Sequence, residues 1–206
     1  MPAGGSAFTE SGIRIITANH ASPDAYQTAA WGDDLIIAGA CPLRYDGDTV
    51  AELGFHTAPD VDAPTVTTGG SMAAGTYLYQ ICYEETDAAG IIHPGPMSSP
   101  ITVVLGATDT AVEFSIPTYR LTGKRAVRIA VWRTEADDAT DTPPLYRVSA
   151  LDPTSTGFGG GTPANLYLTN DPTVDRVTFR DALPDAQLVL RDPAYTNFGV
   201  LSNDPA

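Results

Sequence analysis

The side chains that could do acid–base or metal chemistry are scattered along this sequence. Its histidines, His20, His56 and His93, lie in three different turn-like contexts, and none has a second ligand-type residue at metal-site spacing. The glycine-rich run Gly157–Gly161 is not followed by the start of a helix, so it does not predict a phosphate-binding loop. No nucleophile, zinc-protease or dinucleotide motif is present. We therefore expect turn or surface histidines, no catalytic residue, no metal site, no cofactor and no enzyme activity.

Carboxylates cluster in four places: Asp33–Asp34, Asp46-Gly47-Asp48, Glu84–Glu85 with Asp87, and Asp137–Asp138. The group at Asp46 lacks the further ligands of an EF-hand loop. A glycosidase pair would need a cleft and a raised pKa, which a sequence does not reveal. In so acidic a chain we expect these clusters to be solvated turns, with a calcium site as the alternative.

The chain contains two cysteines, Cys41 and Cys82, and no CxxC pair. This pattern favours reduced thiols that fill space in a core, with a disulfide between them as the alternative.

The formal net charge of -14 and the isoelectric point near 4.3 argue against a nucleic-acid-binding surface, which needs clustered Lys and Arg. They also argue against binding to an anionic membrane. No secretory signal pattern and no run of bilayer-spanning length is present, so we expect no membrane partner and assembly in the cytosol.

The segments that carry these candidate residues are mostly predicted to be β-strands. Residues 1–62 predict an N-terminal β-hairpin region, with Asp46-Gly47 as a turn, and residues 57–75 predict a linker or the entry into a new domain. Residues 63–190 predict an antiparallel β-sandwich, because period-two alternation recurs between turn signals, with strands over residues 75–86 and 111–117 among others. A strand is also predicted over residues 12–20 of the N-terminal region. An exposed loop is predicted over residues 152–167, and an extended C-terminal tail over 191–206. The predicted fold class is all-β, of immunoglobulin or fibronectin-III type.

Three tyrosines share one face of a single predicted strand with Ile81: Tyr77, Tyr79 and Tyr83. We expect this face to pack between two sheets, with the hydroxyls reaching the rim. An exposed aromatic platform for stacking sugars or bases is the alternative. The other predicted core residues include Phe114, Ile129 and Val131.

The stretch from Gly69 to Val103 resembles fibronectin-type-III-like modules of tail and neck proteins in tailed viruses. The shared motifs are Gly75-Thr76-Tyr77-Leu78-Tyr79, a hairpin containing Gly90, Ser98-Ser99-Pro100, the triplet Trp132-Arg133-Thr134, the strand Leu145 to Val148, and a Thr178-Phe179-Arg180-Asp181 close. The resemblance covers roughly residues 63–190. The flanks, residues 31–55 and 194–206, resemble the propeller shoulders of tail hub or nozzle proteins, although most of a propeller is missing.

This resemblance implies a non-enzymatic structural component of a virion, most plainly a tail or neck subunit of hub, nozzle or adaptor type. It implies self-association in a symmetric ring and contacts with other virion proteins. It also implies no specific nucleic-acid binding beyond passive passage of DNA. A capsid decoration or fibre protein that binds host glycans is one alternative. A spacer module of an extracellular hydrolase is another.

The flanks also carry apolar residues that have no obvious core of their own. They are Ile13, Ile15, Trp31, Leu35, Ile36, Ile37, Tyr195 and Phe198. We expect neighbouring subunits to cover them, with packing of the flanks on each other or on the sandwich as the alternatives.

Overall fold

A computed structural model describes residues 27–32, 34–39, 41–47, 49–87, 90–138, 143–150 and 168–194. In these ranges the regular structure is almost entirely β, and the helix present is the four-residue α1, Asp185–Leu188. The expectation of an all-β fold with almost no helix is confirmed.

The strands form antiparallel sheets, and their order differs from their order along the chain. The strands are β1 Thr28–Trp31, β2 Asp34–Ile37, β3 Leu43–Tyr45, β4 Val50–Glu52, β5 Thr65–Thr67, β6 Gly75–Thr86, β7 Ile92–Pro94, β8 Ile101–Leu105, β9 Ala111–Pro117, β10 Val127–Arg133, β11 Tyr146–Arg147 and β12 Arg176–Asp181. One sheet has the order β1-β2-β3-β4. A second has the order β11-β10-β6-β7, with β8 also paired to β6, and a third has the order β12-β9-β5.

The chain divides into two compact units. The smaller unit comprises residues 1–55, 85–93 and 121–126, and the larger comprises 56–84, 94–120 and 127–206. The predicted N-terminal region, 1–62, therefore overlaps the first segment of the smaller unit, which also draws on two later parts of the chain. Strand β6 contributes residues to both units.

The hairpin predicted at Asp46-Gly47 is present in the smaller unit as β3 and β4. Gly47 has φ +92°, which a residue without Cβ adopts at low cost. The Asp46 carboxylate accepts the backbone N–H of Thr49 at 2.7 Å and so closes the turn. Strand β1 was not predicted, because all four of its residues are exposed and carry no alternation. The strand expected over residues 12–20 lies outside the described residues.

The larger unit contains the predicted core. Strands β6 and β9 have the expected bounds, and Tyr77, Ile81, Phe114, Ile129 and Val131 are all buried. Within the stretch expected to be a linker or the entry into a new domain, Thr65–Thr67 forms β5 and pairs with β9. Strand β5 has only three residues, which is too short to show an alternating pattern, and its position is set by its pairing with β9. The expected loop at 152–167 lies outside the described residues, as does most of the tail.

Side chains of the two sheets in the larger unit contact each other. The ring of Tyr79 lies 4.7 Å from that of Phe114, centroid to centroid, at a tilt of 58°. The Tyr83 hydroxyl donates to the Pro117 carbonyl at 2.8 Å. The expectation that the hydroxyls reach the rim is wrong for Tyr79, whose hydroxyl donates to the buried carboxylate of Asp181 at 2.7 Å.

The two cysteines are both thiols, and each unit contains one. Cys82 is fully buried and fills space in the core as predicted, beside Ala130 and Trp132. Cys41 is half-buried.

Candidate functional site

The pair Glu84–Glu85 is buried, so the expectation that it is a solvated turn is wrong. Successive strand residues point to opposite faces, and each glutamate belongs to a different ion-pair cluster. In the larger unit the Glu84 carboxylate accepts hydrogen bonds from Nη1 and Nη2 of Arg147, at 2.9 and 2.6 Å. In the smaller unit Glu85 pairs with Arg44 at 3.1 Å and with Lys124 at 2.8 Å.

The cluster around Glu85 joins all three segments of the smaller unit. The Lys124 ammonium also donates to the Glu52 carbonyl at 2.6 Å. The Glu52 carboxylate accepts the Thr122 hydroxyl and, at 3.1 Å, the Gly123 N–H. We call Arg44, Glu52, Glu85 and Lys124 the Glu85 cluster. It fixes Arg44, which lines the neighbouring cleft.

A cleft of about 440 Å³ lies within the smaller unit. It is lined by Trp31, Gly32, Asp34, Ile36, Arg44, Leu53, Asp87, Ile91 and His93. Apolar surface predominates, and two of its apolar side chains are largely exposed, Trp31 at 72% and Ile91 at 58%. Charged and titratable groups stand among them. A concave surface of this size, apolar with a few polar groups, is typical of a small-molecule site.

His93 and Asp87 form a hydrogen-bonded pair at this cleft. The two residues flank a hairpin in which Gly90 has φ +83° and its N–H donates to the Asp87 carbonyl at 3.0 Å. Asp87 Oδ1 accepts the Ile91 N–H at 2.7 Å, and Oδ2 lies 2.8 Å from His93 Nε2. When Nε2 carries the proton, it donates to the carboxylate and leaves Nδ1 as an acceptor. The hairpin therefore holds the imidazole in a fixed orientation.

Sequence reasoning missed this pair. His93 lies in β7 rather than in a turn, whereas His56 is exposed and His20 lies outside the described residues. The available signal was an acid and a histidine placed symmetrically about a hairpin glycine, at positions 87, 93 and 90. The residues that line the cleft supply hydrogen-bonding groups, an indole ring and aliphatic carbons. Such a set is suited to binding.

The described ranges contain no group of three or more His, Cys, Asp or Glu residues placed to hold a metal ion. No helix in that part of the chain has the length and apolar character needed to cross a membrane.

A second buried charge cluster lies in the larger unit, around Arg133. Its guanidinium Nε lies 2.8 Å from Asp181 Oδ2, and both side chains are fully buried. Nη1 donates to Asp185 at 2.6 Å and Nη2 to the Leu183 carbonyl at 2.6 Å. We call Arg133, Asp181, Asp185 and Tyr79 the Arg133 cluster.

Aromatic rings complete the surroundings of Arg133. The guanidinium carbon lies 4.9 Å from the centre of the Tyr77 ring. Burial opposes the charge of Arg133, but Asp181 and Asp185 more than offset it, so the pKa of Arg133 lies above its usual value. Burial, reinforced by the charge of Asp181, holds the pKa of Tyr79 well above its usual range. The cluster is thus a fixed ion pair in the core, with a neutral tyrosine as a donor.

Comparison with known proteins finds no relatives: no family model matches the chain, and neither the curated proteins nor the solved structures include a match.

Proposed function

We propose that this protein is a non-enzymatic structural subunit of a tailed virus particle, located in its tail or neck and assembled into a ring. The observation that carries the proposal is that three of the motifs behind the virion resemblance meet around one buried carboxylate, that of Asp181. Tyr77 and Tyr79 come from the first motif, Arg133 from the triplet, and Asp181 from the closing motif. Tyr79 and Arg133 both contact Asp181.

The remaining motif residues support the same arrangement. Thr134, the last of the triplet, accepts the Leu78 N–H through its hydroxyl at 3.1 Å. The Ser98 hydroxyl accepts the Ile81 N–H at 3.0 Å. These residues are far apart in sequence, and the triplet, the Ser98-Ser99-Pro100 turn and the closing motif each place a side chain against strand β6, through Thr134, Ser98 and Asp181. Motifs whose side chains contact one another in the fold support the resemblance more strongly than motifs that are only matched separately along the sequence.

The finer fold belongs to the same proposal. We take the larger unit to be a fibronectin-III-like sandwich, because Tyr79 and Phe114 from two antiparallel sheets pack against each other. Within this unit an exposed valine lies on an outer strand of each sheet, Val104 on β8 and Val66 on β5. Outer strands are where another chain can add by main-chain pairing.

The proposed action is mechanical. A rigid module presents its strand edges to identical neighbours, and repetition of one contact closes a ring. The net charge of -14 would let DNA pass without being retained, because few cations are available to replace its counterions.

The test uses the full chain. Native mass spectrometry and negative-stain electron microscopy should detect closed rings, and an antibody should label the tail or neck of particles of a virus that encodes the protein. Val104→Arg should prevent ring closure while leaving the monomer folded, since this side chain is 65% exposed. Thr108→Arg, which places the same charge at an exposed turn, is the matched control. A protein that stays monomeric at every concentration and is absent from such particles contradicts the proposal.

A further inference from the structure

We propose that the cleft of the smaller unit binds a neutral carbohydrate of one or two sugar rings. The inference is independent of the virion proposal, because it rests only on the cleft residues. It assigns to the protein a ligand of defined chemistry, recognised by an indole face and a ring of fixed polar groups.

Trp31 provides the first argument. An indole that is 72% exposed leaves a large apolar face in water, which is unusual without a partner. The position is not accidental, because Trp31 is the last residue of β1 and pairs with Asp34 across a turn in which Gly32 has φ +61°. A sugar ring presents a flat face of C–H groups that packs on an indole while its hydroxyls stay available at the edge.

The polar lining provides the second argument. Asp34, Arg44, Asp87 and His93 offer both donors and acceptors around the indole. Their positions are set by contacts inside the unit: Arg44 is held by Glu85, and Asp87 by the Ile91 N–H. A polyhydroxylated ligand needs such a mixture, since each hydroxyl both donates and accepts. The volume, about 440 Å³, falls within the size range of small-molecule sites.

The charge balance selects a neutral ligand. The guanidinium of Arg44 lies 3.1 Å from Glu85 and 3.8 Å from Asp34, and His93 is paired with Asp87. An anionic sugar would meet Asp34 and Asp87 on a chain of net charge -14. A cationic ligand would have to compete with Arg44 for Asp34 and with His93 for Asp87. A neutral sugar avoids both costs.

A second copy of the chain is the competing occupant, since an exposed indole also suits a protein contact. The concave shape of the cleft, with a volume of about 440 Å³, suits a small molecule better than the face of a second subunit. The experiment below separates the two.

The test titrates the full chain with glucose, galactose, mannose, N-acetylglucosamine and the disaccharides maltose, cellobiose and lactose, and with sialic acid as the anionic comparison. Binding is followed by tryptophan fluorescence and by saturation-transfer NMR. Trp132 is buried at 7% exposure, so a fluorescence response reports Trp31. We expect saturable binding of at least one of these sugars. Trp31→Ala should weaken it about tenfold or more, as loss of an aromatic stacking face does.

The matched control is Leu121→Ala. Leu121 is a 94% exposed apolar residue of the same unit that is not among the cleft residues, so its loss should leave binding unchanged. His93→Asn is the second variant and should weaken binding without altering the circular dichroism spectrum. If Trp31→Ala fails to fold, the loss of sugar binding in His93→Asn still tests the inference.

Four outcomes overturn the inference. They are no saturable signal with any of these sugars at millimolar concentration, equal binding by the Trp31 and Leu121 variants, binding of sialic acid alone, and self-association that Trp31→Ala abolishes and sugar does not compete with.

Discussion

The two units bury different chemistry. In the larger unit the buried side chains are mostly apolar, among them Tyr77, Phe114, Ile116 and Phe179. In the described part of the smaller unit, Ala51 is the only buried apolar side chain, and the other buried residues are those of the Glu85 cluster. The larger unit is thus stabilised by area removed from water, and the smaller by charges that pair across segments.

Because of this difference, substitutions should affect the stability of the two units differently. Apolar burial is additive and tolerant, because neighbouring side chains can partly fill a gap. A buried ion pair is intolerant of losing one partner, because the remaining charge has been taken out of water. The Arg133 cluster places such a pair inside an apolar core. The Glu85 cluster, in contrast, is surrounded by almost no buried apolar side chains. Variants of the two clusters can therefore separate the effect of the charges from that of their surroundings.

The largest effect is expected from Arg133→Met. The substitution keeps a long side chain over Tyr77 but leaves Asp181 buried without its cation, which should lower the free energy of unfolding by about 3–5 kcal/mol. Denaturant unfolding followed by fluorescence measures this. Arg120→Ala is the control: its partner Asp175 has a side chain that is 83% exposed, so the loss should stay below about 1 kcal/mol. Equal losses in the two variants would mean that the Arg133 pair is not desolvated.

A smaller effect, confined to the smaller unit, is expected from Glu85→Gln. The amide keeps the shape but leaves Arg44 and Lys124 without their shared carboxylate. We expect a loss of about 1.5–3 kcal/mol, as for hydrogen bonds to charged groups. Hydrogen exchange should accelerate at the amides of β2, β3 and β4.

Glu113→Gln is the matched control for Glu85→Gln, because its side chain is 41% exposed and its partner Arg180 is at 3.5 Å. If exchange accelerates equally in both units, the Glu85 cluster is not specific to the smaller one.

Alkaline pH should destabilise the larger unit. Tyrosine in an unfolded chain loses its proton near pH 10, whereas burial in the fold raises the pKa of Tyr77 and of Tyr83 to about 12. Between these values the folded protein retains protons that the unfolded chain has released, so the free energy of unfolding falls as pH rises from about 10 towards 12. Below pH 10 these groups contribute no pH dependence. Urea midpoints across this range measure the effect.

Tyr83→Phe supplies the control for the alkaline prediction. It removes one of the titrating groups, so its stability should decline less steeply with pH. An unchanged slope would assign the alkaline loss to other groups.

The smallest perturbation is thiol labelling, since it changes no residue. Burial raises the pKa of Cys82 to about 12, so this thiol should resist alkylation until the larger unit opens. Half-buried Cys41 should be modified sooner and should report opening of the smaller unit. Mass spectrometry of peptides after timed labelling gives both rates. Simultaneous modification would mean that the two units open together.

The sequence was informative where the pattern is local. Strands β6 and β9 were predicted with their bounds, because alternation within a strand states which face is buried. The pair Glu84–Glu85 was misread because its partners are distant: Arg147 is 63 positions from Glu84, and Lys124 is 39 from Glu85. From composition alone, two adjacent glutamates are expected to be exposed to solvent. Only the tertiary contacts show the arginine and lysine side chains that pair with them and so allow their burial.

The cleft was beyond prediction for a related reason. Trp31 was recognised as an apolar residue in need of a partner, and His93 as a turn histidine. Neither expectation placed them together, since Trp31 and His93 lie in separate segments of the smaller unit, and residues 56–84 of the larger unit lie between those segments in the sequence. The hairpin about Gly90 was predicted by the resemblance, but the contact of Asp87 with His93 across it was not.

The three-segment composition of the smaller unit has a consequence for how this protein can be inherited. Recombination and gene fusion move contiguous stretches of coding sequence. Arg44, Glu85 and Lys124, the only lysine of the chain, come from separate stretches, and residues of the larger unit are encoded between them. No single cut isolates either unit with its charges complete. The two units must therefore be gained, lost or exchanged between genomes as one piece.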